Sequence, residues 1–195
     1  MKRPHRWAVR DATAGSISID KGDCGFTLLE LMAGVAVLGI LFAIGIPSFR
    51  DMLAANRVTT VANSLVTALN LARGESRKRG IAVTVCAANA AQDDCVDSAS
   101  WDLGWIVFTD DTGTPGVVDP DDELLQSFPA PASGFPVTAT NPATLSYVRF
   151  LRSGAPDSGT STRTLKLSRP SCTDDAARQI SIANTGRISS EKIAC

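Results

Sequence analysis

The chain has 195 residues, 44% of them hydrophobic, and a formal net charge of −1. That length suffices for one membrane segment and one domain of ordinary size, and the near-neutral charge excludes a globally basic nucleic-acid binder. The single histidine, His5, lies in the N-terminal stretch, so a chain that loses this stretch has no imidazole for general-base, metal-ligand or Ser-His-Asp chemistry. No motif points to a Ser-Lys arrangement either, and a non-enzymatic protein is expected.

The first 25 residues are polar and carry Lys2, Arg3, Arg6, Arg10 and Lys21 against Asp11, Asp20 and Asp23. An apolar run, Phe26 to Ile46, follows directly, with Glu30 as its sole ionisable group. As a helix it reaches roughly 31 Å at ~1.5 Å per residue, which matches a hydrocarbon core of about 30 Å. The run is too long for the apolar part of a secretory signal and has no small-residue cleavage site after it. Cys24 precedes the run, whereas a lipoprotein cysteine follows it. The basic flank favours a cytoplasmic N terminus, with residues 50–195 outside. A carboxylate in such a helix is costly unless it has a partner or a function.

Gly25, Phe26, Thr27, Leu28, Leu29 and Glu30, followed by the apolar helix and Pro47, resemble the class III signal of type IV pilins and pseudopilins. The resemblance implies that a prepilin peptidase of the bacterial inner membrane cuts after Gly25, removing residues 1–25, and methylates the new N terminus at Phe26. It also gives Glu30 a partner, the terminal amine of an adjacent subunit in a growing filament. Other major and minor pilins or pseudopilins, an inner-membrane assembly platform and membrane lipid are the implied partners.

Residues 47–80 continue the helix in amphipathic form, with Val58, Val61, Leu65, Leu69 and Ala72 recurring at spacings of three and four. Pro47 lacks an amide donor and is expected to bend or loosen the helix. The run Arg73 to Gly80 ends it, with Arg77, Lys78 and Arg79 complementing the helix dipole and Gly80 as the stop. Gly34, Gly39 and Gly45 offer close helix approach in a bilayer.

Residues 81–195 alternate short apolar stretches with turn residues: IAVTVC, GWIVFTD, ELLQSF, LSYVRFL, RTLKLS and RQISIAN. These read as antiparallel strands. With the helix they give an α+β fold, a long N-terminal helix packed on antiparallel β-sheet. PAPASGFP, residues 129–136, reads as a loop, and Trp101 and Trp105 as packing residues. With Cys24 set apart at the membrane boundary, four cysteines remain. Their spacing favours Cys86 with Cys95 and Cys172 with Cys195, a pairing that belongs to an oxidising compartment. Asp110, Asp111, Asp119, Asp121, Asp122 and Glu123 lack EF-hand spacing and read as a solvated turn; no metal or cofactor is expected.

NSLVTALNLARGESRKRGIAVTVC, GWIVFTDD with DELL, and RQISIANTGRI resemble the GspH/FimT group of minor pilins and pseudopilins. That resemblance implies a pilin-like fold with a periplasmic globular domain and a role at the tip or initiation complex of a type IV pilus. The alternative within the group is a minor pseudopilin of type II secretion. Some pilus-type members bind DNA through a C-terminal Gly-Arg-x-Arg loop. Gly186 and Arg187 match it, Ser189 stands at the second arginine, and Lys192 and Arg178 are near in sequence, opposed by Glu191, Asp174 and Asp175. A DNA-binding pilin is thus a further alternative, with Arg187, Lys192 and Arg178 as its contacts.

Overall fold

The computed structural model describes residues 27–131, 135–157, 161–169 and 177–195. The chain divides into two units, Met1–Ile44 and Gly45–Cys195. Helix α1, Leu28–Arg79, contributes to both.

In the first unit the helix is apolar all round, and Leu28, Leu31, Val35, Leu38, Leu41 and Phe42 are all more than half exposed. It is long and apolar enough to cross a membrane, and an all-apolar helix surface needs lipid or other helices around it. Among the described residues, no heavy atom outside the helix lies within 4 Å of a Cβ built at Gly34, Gly39 or Gly45.

In the second unit α1 buries one stripe. Val58, Leu65, Leu69 and Ala72 are buried, joined by Ala62 and Ala68, while Val61 is half-buried at the margin. Gly80 ends the helix with φ +71°, donating its N–H to the Ser76 carbonyl at 3.0 Å, a left-handed stop that glycine adopts without steric cost.

Eight strands follow among the described residues: β1 (Val83–Ala87), β2 (Gly104–Thr109), β3 (Leu124–Pro129), β4 (Val137–Asn141), β5 (Tyr147–Phe150), β6 (Arg163–Leu167), β7 (Ala177–Ile182) and β8 (Ile188–Ile193). They form two four-stranded sheets, ordered β3-β2-β1-β5 and β4-β6-β7-β8, with every pairing antiparallel. Six strands match the apolar stretches named above. β4 and β8 do not, because each edges the second sheet and keeps most of its residues toward solvent.

Both sheets bury a face against the α1 stripe. Val83, Val85 and Ala87 of β1, Trp105 and Val107 of β2, Leu165 and Leu167 of β6, and Ile180 and Ile182 of β7 share one core with it. The alternate residues Cys86, Ile106 and Phe108 form a smaller cluster on the other face of the first sheet, covered by Cys95, Val118 and Tyr147. β1 and β2 are therefore buried on both faces, in keeping with their largely apolar sequences.

Candidate functional site

Phe26 and Gly25, the expected methylation and cleavage residues, lie outside the described residues, as does Cys172. The description begins at Thr27, and its first feature is a cap. Thr27 Oγ1 accepts a hydrogen bond from the Glu30 N–H at 3.2 Å. Thr27 is thus the N-cap of α1 and Glu30 the third helical residue, the Thr-x-x-Glu spacing of a capping box, with the Thr27 half of it formed. The Glu30 carboxylate stands in the first turn, where the helix dipole favours a negative charge. Such a helix start exposes unpaired amides, which lipid cannot satisfy. The helix dipole thus favours a carboxylate at Glu30 independently of its expected partner, a neighbouring amine. Helix α1 continues through Pro47.

Cys86 and Cys95 form a disulfide. Cys86 sits on the outer face of β1, so the bond ties the loop after β1 over the smaller cluster. Cys195 is also disulfide-bonded.

The turn between β7 and β8 carries Arg187. It closes through the Ala183 N–H donating to the Arg187 carbonyl at 2.9 Å and the Gly186 N–H donating to the Ala183 carbonyl at 2.8 Å. Gly186 has φ +78°, and a Cβ there would strike the Gly154 carbonyl and the Arg73 guanidinium. The turn thus abuts two other elements. Arg73 Nε donates to the Gly154 carbonyl at 3.1 Å and its Nη2 to the Thr185 carbonyl at 3.3 Å, while Arg77 Nε donates to the Ser153 carbonyl at 3.1 Å. Arg152 is exposed in the same loop after β5.

Arg73, Arg77, Arg152 and Arg187 form no ion pair among the described residues. Lys78 and Arg79, by contrast, pair with Glu75, and Arg79 also with Glu123. Arg178 and Lys192 face each other at the far end of the β7–β8 ladder, four residues before the Ile182–Ile188 pair. At ~3.3 Å per residue that places them roughly 13 Å along the strands from the turn. Sequence proximity groups them with Arg187; the fold instead brings the turn that carries Arg187 to the end of α1.

The family model for "Type II transport protein GspH" matches residues 61–186. The chain belongs to the GspH family. A second model, "Prokaryotic N-terminal methylation motif", matches residues 20–46 of this GspH-family chain. A fimbrial protein of Moraxella nonliquefaciens is 41% identical over 56 residues, 27% of this chain and 36% of that protein. One from Pseudomonas aeruginosa is 52% identical over 52 residues, 27% and 33% of the two chains. A type IV major alpha-pilin of Moraxella bovis is 44% identical over 41 residues, 21% and 26% of the two. The chain therefore spans about a third or less of the length of these curated relatives. The crystal structure of the type IV minor pilin FimU of Pseudomonas aeruginosa superposes with a TM-score of 0.54 at 18% identity, covering 70% of this chain and 89% of that one. The fold is pilin-like.

The GspH-family domain holds one polar group that the sequence does not set apart. Asp110 was expected in a solvated acidic turn, yet it is fully buried. Its Oδ2 accepts from the Thr84 hydroxyl at 2.6 Å and the Gly116 N–H at 2.8 Å. Arg149 lies 3.5 Å from its Oδ1, donates twice to its backbone carbonyl, and reaches Asp157 at 3.0 Å. This network ties β1, the loop after β2 and β5 together. The rest of the acidic stretch is mostly exposed, and among the described residues no group of three or more His, Cys, Asp or Glu is placed to hold a metal.

Burial pushes the Asp110 carboxyl above its ordinary value of 3.8, outweighing the lowering effects of Thr84, Gly116 and Arg149. The folded state thus holds this proton more tightly than the unfolded chain. Its contribution to stability is complete below the ordinary carboxylate value and is lost as pH rises through the raised one. The stability of the natural protein relative to Asp110→Asn should fall as pH rises from about 4 toward neutrality, read as urea midpoints at each pH. A difference independent of pH would contradict this.

Proposed function

We propose that this GspH-family chain is a minor subunit of a type IV pilus. A prepilin peptidase cuts after Gly25 and methylates Phe26. The chain then waits as a single-pass protein of the bacterial inner membrane, its residues 50–195 in the periplasm, until the assembly platform draws it into a tip or initiation complex with other pilins. The observation that carries this reading is the start of α1, where Thr27 caps an apolar helix that holds one acid, Glu30, in its first turn within the match to the methylation motif. The extended apolar surface needs other helices once it leaves lipid, and Glu30 offers the charge that a neighbour's terminal amine requires. Pro47, with no amide donor, is a point where α1 yields on that transfer. The role is structural, without catalysis or cofactor.

Deletion of the gene tests this reading, with twitching motility, DNA uptake and release of exported enzymes measured in one strain background. Loss of motility or uptake with normal secretion is expected. Loss of secretion alone would assign the chain to the type II pseudopilus instead.

A second reading, a DNA-contacting minor pilin, is favoured by the arginines around the β7–β8 turn. Arg187 and Arg152 are exposed and have no carboxylate partner among the described residues. If they contact phosphate, Arg152→Ala and Arg187→Ala should each weaken DNA binding and reduce the slope of affinity against salt by about 1. Lys192→Ala should leave both unchanged.

A further inference from the structure

We propose that the groove between α1 and the end of β3 is a docking site for an extended, acidic peptide segment of another pilin-family subunit, a proposal that rests on the filament reading above. The groove has a volume of about 420 Å³ and is lined by Arg57, Thr60, Val61 and Ser64 of α1, by Trp105 of β2, and by Pro129 and Pro131. The four helix residues recur at steps of three, four and seven, so they form one face beside the buried stripe.

Three features define the occupant. The first is Trp105, only 1% exposed, whose indole Nε1 is buried without an acceptor among the described residues. A buried indole N–H ordinarily has a partner, as Trp101 does at the Leu145 carbonyl, 3.0 Å away. The groove therefore suits a ligand rich in carbonyl oxygens. The second is β3, which edges its sheet and pairs among the described residues with β2 alone. Its sequence, LLQSFP, has no charge, and Leu124 is 44% exposed. Edge strands are normally blunted by charge or proline; β3 carries no charge and its one proline, Pro129, is its last residue, so the residues before it are able to accept an added strand. The third is charge. Arg50 and Arg57 lie seven residues apart on one helix face, both exposed, and neither forms an ion pair among the described residues. A peptide that carries an aspartate or glutamate and runs beside β3 meets all three. A lipid headgroup would answer the arginines, but its acyl chains bring neither a strand to β3 nor an acceptor to the indole.

The test places the photo-crosslinking residue p-benzoylphenylalanine at exposed Thr60 in the full-length chain, in its own host, with Lys192 on β8 as the control position. Ultraviolet light should join the Thr60 probe to another pilin-family subunit. Peptide mapping should place the adduct in a non-helical segment containing Asp or Glu. The yield should fall about tenfold with Arg57→Glu and severalfold with Trp105→Phe, which keeps an aromatic ring but has no N–H. A lipid adduct, no adduct, an adduct to a helix, or a yield indifferent to Arg57→Glu would each overturn the proposal. If Thr60 captures nothing while the protein is still recovered in filaments, the groove assignment fails and the filament reading stands. If the protein never enters filaments, both fail.

Discussion

Glu30→Ala leaves the protein in the membrane but lowers its recovery in filaments or initiation complexes by about tenfold or more. An ion pair at ~4 Å is worth about 4 kcal/mol at an effective dielectric of 20, and losing a third of that already gives a factor of ten. Alanine also removes the first-turn acid of the capping box, so it changes two things at once. Glu30→Gln separates them, because glutamine occupies the same position of a capping box and has no charge for a terminal amine. If pairing with a neighbour's amine governs assembly, Glu30→Gln fails like Glu30→Ala. If helix capping governs it, Glu30→Gln assembles normally. The measurement is the ratio of filament to membrane protein by quantitative immunoblotting, and equal ratios for all three proteins would remove Glu30 from assembly altogether.

Leu65→Ala destabilises the Gly45–Cys195 unit by about 3 kcal/mol, within the 2 to 5 kcal/mol usual for truncating a buried leucine. Leu65 is fully buried in the α1 stripe, within the core that both sheets share. The cavity left behind lies within that shared core, where backbone pairing in the sheets resists collapse. A loss of that size lowers the melting temperature by roughly 10 °C for a unit of this length. Asn63→Ala, on the exposed side of the same helix, should change stability by less than about 0.5 kcal/mol. Thermal denaturation of the detergent-solubilised protein compares them, and similar melting temperatures for the two variants would contradict the packing described here.

The helix and the inner strands are legible in the sequence because burial leaves a period. Val58, Leu65, Leu69 and Ala72 repeat at helical spacing, and β1 and β2 are largely apolar because both of their faces are covered. Edge strands leave a weaker trace. β8, ISSEKI, is exposed along most of its length, and β4, VTATN, alternates only briefly. Nothing in either distinguishes strand from loop until β7 and β6 pair with them. The division into two sheets is likewise a matter of partner choice.

At the site, local signals are legible and distant ones are not. Glu30 stands out because an acid interrupts an apolar run, and the Thr-x-x-Glu spacing with Thr27 marks the helix start. The Cys86–Cys95 disulfide closes a short loop and follows from spacing. Asp110 looks like its neighbour Asp111, and its burial depends on Thr84 and Arg149, 26 and 39 residues away. The arginine cluster gathers residues 73, 77, 152 and 187 from three segments, which no sequence window contains. The same fold moves Arg178 and Lys192 away from Arg187, because a hairpin separates its two ends by the length of its strands.

The most direct measurement is mass spectrometry of sheared pili from the native host. Filament assembly after class III processing predicts that sheared pili contain this chain with an N-terminal peptide beginning at N-methylated Phe26 and without residues 1–25. Recovery of the chain in the membrane fraction alone, with residues 1–25 still attached, would contradict it.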